Sequence, residues 1–268
     1  MPASPDYPEL DAGRRAWRYQ PAPDCLADRV ILVTGAGDGI GRAAAKTFAV
    51  HGAHVILLGR TRNKLEAVFD WIAANTQTRP VIVPCDLEVL DDDSAAALVE
   101  AIQGEFGRLH GVLHNASLLG PRLPIALYDS AEWQRVMKVN AFAPFLLTRS
   151  LLGLLDAAGD ASVVFTSSSV GRRGRAYWGA YAVSKFALEG LSQVLADEHE
   201  HAGRIRFNSL NPGATRTRMR AAAYPGERPT EVPTAEEKMD VYVYLFEPKS
   251  RGLTGAMLDA RDWPGPER

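Results

Sequence analysis

The chain has 268 residues, of which 46% are hydrophobic and 23% charged, a balance typical of a globular protein with a sizeable core. The formal net charge of −2 gives no reason to expect nucleic acid or an anionic membrane as a partner. Cys25 and Cys85 are far apart, and neither a secretory signal nor a run of 18 apolar residues is evident, so we expect reduced thiols in a cytoplasmic protein.

Residues 1–27 contain five prolines and no periodic pattern, which predicts an extension that is mobile or lies on the surface. From residue 29 onward, short apolar runs alternate with amphipathic segments. Short apolar runs bounded by turn residues are typical of strands buried on both faces. The first half therefore predicts strands at 29–34, 53–58, 80–84 and 110–114 and helices at 40–51, 62–74 and 93–106.

The second half continues this alternation. It predicts helices at 130–156, 179–202 and 234–246 and strands at 161–166, 204–210 and 256–258. Pro144 is expected to kink the first of these helices, and residues 218–233 show no period. Short connections between alternating strands and helices predict an α/β fold, with one doubly wound parallel sheet of about seven strands and helices on both faces. We expect a single domain over residues 28–268.

A glycine-rich turn, TGAGDGIG at 34–41, separates the first predicted strand from the first helix. Glycines permit positive φ angles and a close approach of the backbone, and free N–H groups at a helix start can bind a pyrophosphate. The spacing is GxxxGxG rather than GxGxxG, and such a turn alone is weak evidence, but its place in a βαβ unit favours dinucleotide binding. The predicted binding residues of this turn are Gly35, Gly37, Asp38, Gly39, Ile40 and Gly41.

The end of the second strand distinguishes the two nicotinamide cofactors. A carboxylate there would hold the ribose 2′-hydroxyl of NAD(H), whereas an arginine would accept the 2′-phosphate of NADP(H). The chain has no carboxylate at this position and has Arg60, which predicts NADP(H) rather than NAD(H). The alternative is that Arg60 only caps a solvent-facing loop, and Asp38 argues mildly against a phosphate nearby.

The ends of the third and fourth strands carry further candidate cofactor contacts. Asp86 could hydrogen-bond the adenine edge, with Leu87 beside it, although an aspartate here could equally begin a turn. Asn115 and Ala116 end the fourth strand, on the side where the adenosine half of the cofactor would lie. All four residues are predicted to bind the cofactor.

Tyr181 and Lys185 are four residues apart in a predicted helix and therefore project from the same side. A free phenol has a pKa near 10 and is a poor acid or base at neutral pH. An adjacent ammonium favours the phenolate and lowers that pKa, which brings the phenol toward the range suited to general acid–base catalysis. The pair is therefore a candidate proton donor and acceptor, although a tyrosine and a lysine at this spacing often occur by chance.

Taken together, these segments resemble the short-chain dehydrogenase/reductase family. The resemblance covers residues 28–258 and rests on the TGxxxGxG turn, Asn-Ala at 115–116, YxxxK at 181–185 and Asn-Pro-Gly at 211–213. Within the family, the run SSSVGRRGRAYWGAYAVSKFA most resembles the bacterial oxidoreductases described as YciK-like. Ser117 departs from the pattern, because the family usually has glycine after Asn-Ala.

The resemblance implies an NADP(H)-binding Rossmann domain with a catalytic tetrad: Asn140, Ser168, Tyr181 and Lys185. Ser168 is selected among three serines because the family's serine precedes the tyrosine by 13 positions. By analogy, Tyr181 protonates the developing alkoxide, Ser168 polarises the carbonyl, and Asn140 holds a water for proton relay. Lys185 would bind the ribose hydroxyls and lower the pKa of Tyr181. The remaining predicted cofactor contacts are Tyr181, Lys185, Pro212, Gly213, Thr215 and Thr217.

The function implied by the resemblance is that of an NADP(H)-dependent carbonyl reductase or alcohol dehydrogenase, transferring hydride between nicotinamide and a carbonyl or secondary alcohol. A non-catalytic NADP(H)-binding regulator and a dehydratase or epimerase on the same fold stay open as alternatives. No metal is expected. Family members pair their two long helices, so we expect a homodimer or homotetramer.

Six arginines are expected near the mouth of the substrate pocket: Arg172, Arg173, Arg175, Arg216, Arg218 and Arg220. They would favour an acidic, phosphate-bearing or carrier-bound substrate if their charges face the pocket. The alternative is that they form a solvated rim with no role in recognition. In the family, the segment at 218–233 covers the substrate as a mobile lid.

Overall fold

Seven strands form the sheet of the computed structural model, which describes residues 19–261, 263 and 265. The strands are β1 (Val30–Thr34), β2 (His54–Gly59), β3 (Val81–Pro84), β4 (Gly111–His114), β5 (Ala161–Thr166), β6 (Ile205–Asn211) and β7 (Met257–Asp259). Their spatial order is β3-β2-β1-β4-β5-β6-β7, and every neighbouring pair is parallel. This arrangement confirms the predicted α/β, doubly wound fold.

Eight α-helices accompany the sheet within the described residues. They are α1 (Gly39–Val50), α2 (Arg62–Asn75), α3 (Asp92–Phe106), α4 (Ser130–Met137), α5 (Ala143–Ala157), α6 (Gly179–His199), α7 (Arg218–Ala223) and α8 (Met239–Phe246). In the same part of the chain, no helix has both the length and the apolar character needed to cross a membrane.

Side chains of the central strands alternate between two hydrophobic cores. Ile31 and Val33 of β1 face the core formed with α1, α2 and α8, whereas Leu32 faces the core formed with α3, α5 and α6. All three are fully buried. The strands therefore need apolar residues on both faces, which explains why they appear in the sequence as continuous hydrophobic runs.

The strand order reverses between β1 and β4, which are neighbours in the sheet although two strands separate them in sequence. The connections that leave the carboxyl ends of these two strands run to opposite faces. They leave a crevice between them, and such a crevice is where ligands bind in open α/β sheets. The glycine turn after β1 and the Asn-Ala pair after β4 lie at this point.

The long helix predicted at 130–156 is interrupted by a widened π turn at Lys138–Phe142. Pro144 has no N–H, and in a regular helix its ring would clash with the carbonyl of Asn140, four residues earlier. The wider turn relieves that clash. The disturbance therefore lies one turn before the proline rather than at Pro144 itself.

Three other predicted elements differ from the structure. Residues 218–233, which show no period, contain the short helix α7. The helix predicted at 234–246 begins as a 3-10 turn, and its α-helical part starts at Met239. The helix predicted at 179–202 ends at His199. The other predicted boundaries agree with the structure to within one residue.

The described part of the N-terminal extension packs against the domain. Leu26 is fully buried in the core with α1, and its N–H donates to the carbonyl of His51. Tyr19 makes edge contacts with the rings of Tyr244 and Trp263, with centroids 5.4 and 5.7 Å away. Residues 19–27 therefore pack against the domain, with Leu26 inserted into its core. Residues 1–18 are outside the described residues, and the boundary at residue 27 stays a prediction.

Candidate active site

A cavity of about 470 Å³ opens at the carboxyl edge of the sheet, and the glycine turn forms one end of it. Gly35 has a φ of +68°, a conformation that glycine adopts without strain. A methyl group added to Gly41 would lie 2.3 Å from the carbonyl oxygen of Gly35. Gly41 thus lets α1 approach the turn closely, and it does not line the cavity, whereas the other predicted residues of the turn do.

Asp38 caps the start of α1 and is balanced by two cations. Its carboxylate accepts a hydrogen bond from the Gly39 N–H at 2.8 Å, lies 2.5 Å from the Lys64 ammonium and is 3.7 Å from the Arg218 guanidinium. Partial burial alone would raise the pKa of Asp38, but these partners hold it below its usual value. The negative charge that argued against a nearby phosphate is therefore neutralised.

Lys64 and Arg60 both line the cavity, in the part beyond the end of β2. Arg60 was predicted as a phosphate contact, whereas Lys64 was not identified from the sequence. Lys64 lies in the first turn of α2, and a second cation so soon after the strand end that carries Arg60 is the signal that could have identified it. Arg60 makes this part of the cavity suitable for an anionic group, while Lys64 is already paired with Asp38.

Thr34 joins the ends of β1 and β4. Its hydroxyl oxygen accepts hydrogen bonds from the backbone N–H groups of Asn115 at 2.9 Å and Ala116 at 3.0 Å. The Asn115 side chain also donates to the Thr34 carbonyl at 3.3 Å. Asn115 and Ala116 are therefore held at the floor of the cavity, which both residues line.

Asp86 and Leu87 also line the cavity, beyond the end of β3. One carboxylate oxygen of Asp86 accepts a hydrogen bond from the N–H of Glu88 at 3.0 Å and so forms the turn that the sequence offered as an alternative. The two interpretations of Asp86 are compatible, because a carboxylate has several lone pairs.

Helix α6 carries Tyr181 and Lys185 into the cavity from its first two turns. The Lys185 ammonium donates a hydrogen bond to the Thr166 carbonyl at the end of β5, with a distance of 2.8 Å, and lies 5.5 Å from the centre of the Tyr181 ring. The Ser168 side chain, which follows β5, lines the same part of the cavity and acts to lower the pKa of Tyr181. The structure thus brings three of the four predicted catalytic side chains to one wall of the cavity.

Burial dominates the ionisation of both helix residues. It raises the pKa of Tyr181 to about 12, although the Ser168 hydrogen bond acts in the opposite direction. It lowers the pKa of Lys185 to about 7, although the charge of Glu189 acts in the opposite direction. The expectation that Lys185 brings the pKa of Tyr181 below its ordinary value is therefore wrong for this structure, because desolvation outweighs any charge effect and the ammonium is directed at Thr166.

Asn140, the fourth predicted catalytic residue, is buried and does not line the cavity. Its side-chain oxygen accepts from the Leu118 N–H at 2.7 Å, and its amide nitrogen donates to the Leu118 carbonyl and the Ser184 hydroxyl at 2.8 and 3.0 Å. The side chain therefore orders the loop after β4. Its backbone carbonyl lies in the π turn, where Pro144 has no N–H to donate to it.

Glu189 is a buried carboxylate that was not identified from the sequence. It accepts hydrogen bonds from Ser167 at 2.5 Å and from Ser209, and it pairs with the Arg172 guanidinium at 2.9 Å. It follows Lys185 by one turn of α6. The sequence does contain a signal for Glu189, because positions 181, 185 and 189 lie on one face of the helix. A carboxylate on the same face as two other buried polar residues indicates a hydrogen-bond network.

The loop after β6 closes one end of the cavity, where the sequence predicts contacts with the nicotinamide. The lining residues there include Pro212, Gly213, Thr215 and Thr217. Thr217 is also the N-cap of α7, since its hydroxyl accepts from the Arg220 N–H at 3.1 Å, and it would lie 3.1 Å from a methyl group added at Gly39. This threonine therefore joins the segment that begins α7 to the glycine turn.

The family model for short chain dehydrogenase matches residues 29–228. The chain is 50% identical over 243 residues to the uncharacterized oxidoreductase YciK of Escherichia coli (strain K12), covering 91% of this chain and 96% of that protein. It is 34% identical over 196 residues to the levodione reductase of Leifsonia aquatica, covering 72% of each.

Solved structures show the same similarity. A short chain dehydrogenase from Pseudomonas syringae has 52% identity and a TM-score of 0.89, with 91% of this chain and 99% of that chain covered. One from Escherichia coli CFT073, complexed with NADPH, has 50% identity and a TM-score of 0.87, with 90% and 100% covered. The chain belongs to the short-chain dehydrogenase family, and its relatives include YciK-like oxidoreductases.

Proposed function

We propose that the protein is an NADP(H)-dependent oxidoreductase that interconverts a carbonyl compound and a secondary alcohol. The observation that carries the proposal is that Tyr181, Ser168 and Lys185 line the same cavity as the glycine turn. An acid and a hydrogen-bond donor for a carbonyl oxygen therefore share one cavity with a dinucleotide cradle.

The residues of the cavity fit NADP(H). The cradle is shaped by Gly35 and Gly41, where a side chain would fill the space or strain the turn. Arg60 supplies a cation beyond the end of β2, where a 2′-phosphate would lie, and Lys64, which is paired with Asp38, also lines the cavity. The NADPH complex of the Escherichia coli CFT073 relative supports the same choice of cofactor.

In reduction, NADPH held by these residues would supply the hydride that the carbonyl carbon accepts. Tyr181 donates its phenolic proton to the carbonyl oxygen, and a pKa of about 12 ensures that it carries that proton at neutral pH. Ser168 donates a hydrogen bond to the same oxygen as negative charge develops on it. Lys185, with a pKa of about 7, is poised to return a proton to Tyr181. By analogy with the family, Asn140 would hold a water on that route.

The test is a panel of ketones and aldehydes with NADPH or NADH, followed by the loss of nucleotide absorbance. We expect turnover with NADPH that Tyr181→Phe lowers by roughly 100-fold or more, while NADPH binding is retained, because the phenyl ring keeps the packing and loses the proton. Full activity in Tyr181→Phe would refute the assigned role. Product formation without net oxidation of NADPH would instead indicate a dehydratase or an epimerase.

We further propose that the protein forms a homodimer through α5 and α6. Large apolar side chains stay exposed along this face: Phe142, Phe145, Val183, Phe186 and Val194. Phe142 and Phe145 lie next to each other, with ring centroids 6.1 Å apart, and exposed apolar groups that cluster in this way favour association. Sedimentation at micromolar concentration should show a dimer or tetramer, and Phe186→Glu should shift it toward monomer; a wild-type monomer would contradict the proposal.

A further inference from the structure

An apolar wall lies beside Ser168 and Tyr181, in the part of the cavity away from the glycine turn. The wall is formed by the rings and aliphatic side chains of Leu119, Trp178, Met219, Ala223 and Tyr224. The ring of Trp178 lies between two tyrosine rings, with centroids 5.8 Å from Tyr181 and 5.9 Å from Tyr224. This wall is what a group attached to the carbonyl carbon would contact.

Arg122 contacts the residues of this wall but does not line the cavity itself. Its guanidinium carbon lies 4.6 Å from the centre of the Trp178 ring and 5.4 Å from that of Tyr224. It also donates a hydrogen bond to the carbonyl of Ala223. The charge of Arg122 is therefore directed at ring faces and a backbone carbonyl, where it ties the loop after β4 to α7.

Arg220 does line the cavity, but its charge is balanced by Glu227. The two side chains form a bidentate pair with distances of 2.7 and 2.5 Å, and the guanidinium stacks on Tyr224 at 3.7 Å. A paired and stacked guanidinium offers little to a substrate anion. Arg220 therefore contributes a flat surface to the wall rather than a free cation.

Three of the other arginines expected at the pocket mouth also have partners. Arg172 pairs with Glu189, Arg216 donates to the carbonyl of Val232 at 3.1 Å, and Arg218 is within 3.7 Å of Asp38. Of these three, only Arg218 lines the cavity, and its partner Asp38 belongs to the glycine turn. This arrangement does not support the acidic-substrate alternative of the sequence.

We propose that the substrate subsite accepts uncharged ketones that carry an apolar ring or a branched alkyl group and rejects ketones with a carboxylate or phosphate. The inference rests on the proposed carbonyl reduction and specifies its substrate class. The reaction consumes one ketone, one NADPH and one proton and gives one secondary alcohol and NADP⁺. The carbon–oxygen π electrons move to oxygen, which takes the Tyr181 proton, as the hydride bonds to carbon. An anionic substituent would lose its hydration against apolar side chains, and the guanidinium of this wall, Arg220, is already paired with Glu227.

The experiment compares three ketones of similar shape: acetophenone, 4-acetylbenzoate and its methyl ester. We expect kcat/KM of the wild-type enzyme with NADPH to be about 10- to 100-fold higher for the ester than for the acid, the range expected for leaving a charged group unpaired. Equal values for the ester and the acid, or a preference for the acid, would overturn the proposal.

Glu227→Gln provides a sharper test, because it removes the partner of Arg220 and leaves a free cation in the wall. The ratio of kcat/KM for the ester to kcat/KM for the acid should then fall about tenfold, because kcat/KM for the acid rises. Glu231→Gln is the matched control, since Glu231 pairs with the exposed Arg228 outside the cavity, and the ratio should not change. An unchanged ratio in Glu227→Gln would contradict the assigned role of the pair.

Binding separates this inference from the proposed function. Calorimetric titration of the three ketones into Tyr181→Phe loaded with NADP⁺ measures the subsite without turnover. Tighter binding of the two uncharged ketones supports the subsite even if the wild type reduces neither of them, and in that case the proposed reduction fails. Absence of binding by either uncharged ketone would overturn the substrate class.

Discussion

The Ser167 hydroxyl donates a hydrogen bond to the Glu189 carboxylate at 2.5 Å, and this bond joins the end of β5 to the middle of α6. The same carboxylate accepts from Ser209 of β6 and pairs with Arg172. Because Ser168 follows directly in sequence and Lys185 precedes Glu189 by one turn, one buried charge fixes the strand and the helix that carry the proposed acid–base groups.

Removing this charge should change the pH dependence of the reaction. Glu189 is the opposite charge that raises the pKa of Lys185, which burial brings down to about 7. In Glu189→Gln the ammonium loses that support, so we expect the alkaline fall in kcat/KM for ketone reduction to begin at a pH lower by roughly one unit. The measurement is kcat/KM against pH for both enzymes.

Ser209→Ala is the matched control for this prediction, since it deletes one hydrogen-bond donor to Glu189 and keeps the carboxylate. We expect its pH profile to match that of the wild type even if its stability is lower. If Glu189→Gln and Ser209→Ala give superimposable profiles, then Glu189 acts only as a structural link between β6 and α6.

Arg60 should govern the choice between the two nicotinamide cofactors. Arg60→Leu removes a cation from the adenosine end of the cavity, and we expect the KM for NADPH to rise about 10- to 100-fold while the KM for NADH changes little. Arg62→Leu is the control, because Arg62 pairs with Glu66 on α2 and does not line the cavity. Equal effects of Arg60→Leu on both nucleotides would rule out a phosphate contact.

The fold was predictable because its strands are buried on both faces and bounded by turn residues. The strand at 161–166 was predicted with the bounds that the structure shows, and its six residues are all buried. The π turn was not predictable, because periodicity extends through residues 138–142 without a break. A proline indicates that a helix is disturbed, but packing decides which turn absorbs the disturbance.

The candidate site was predicted from sequence motifs, and a motif does not show how deeply its side chains are buried. Spacing correctly indicated that Ser168, Tyr181 and Lys185 would share one wall of a cavity. It gave the wrong direction for the pKa of Tyr181, since burial dominates that pKa. Burial depends on residues far apart in sequence, such as Leu119 and Ala223, which belong to the same apolar cluster as Tyr181. The arginines between 172 and 220 were visible in sequence, but the partners that neutralise them, such as Glu189 and Glu227, became visible only in the structure.

Gly41 should be essential to the cofactor cradle. In Gly41→Ala the new methyl group would meet the Gly35 carbonyl oxygen at 2.3 Å, so the turn must shift. We expect stability to fall by about 1–3 kcal/mol and NADPH binding to weaken strongly. Gly104→Ala in α3 is the control. Apart from the neighbouring residues and the helix's own backbone, no described atom lies within 4 Å of the added methyl group. We therefore expect the free energy of unfolding of this variant to rise by about 0.5–1 kcal/mol. Urea unfolding and NADPH titration measure both effects, and an intact cradle in Gly41→Ala would contradict the geometry.

His110 should make stability sensitive to mild acid. Its Nδ1 accepts a hydrogen bond from the Val30 N–H at 3.0 Å, and burial with the nearby charges of Arg29 and Arg108 lowers its pKa to about 4. Because this folded-state pKa lies below the ordinary 6.5, the contribution of neutral His110 to stability is complete above pH 6.5 and is lost as the pH falls toward 4.

In His110→Asn the amide oxygen can accept the same hydrogen bond without titrating, so the loss of unfolding free energy per pH unit should be smaller by up to about 1.4 kcal/mol. Urea unfolding at several values between pH 7 and 4.5 measures the two slopes, with exposed His201→Asn as the control. Parallel slopes for wild type and His110→Asn would show that the buried ring does not couple folding to protonation.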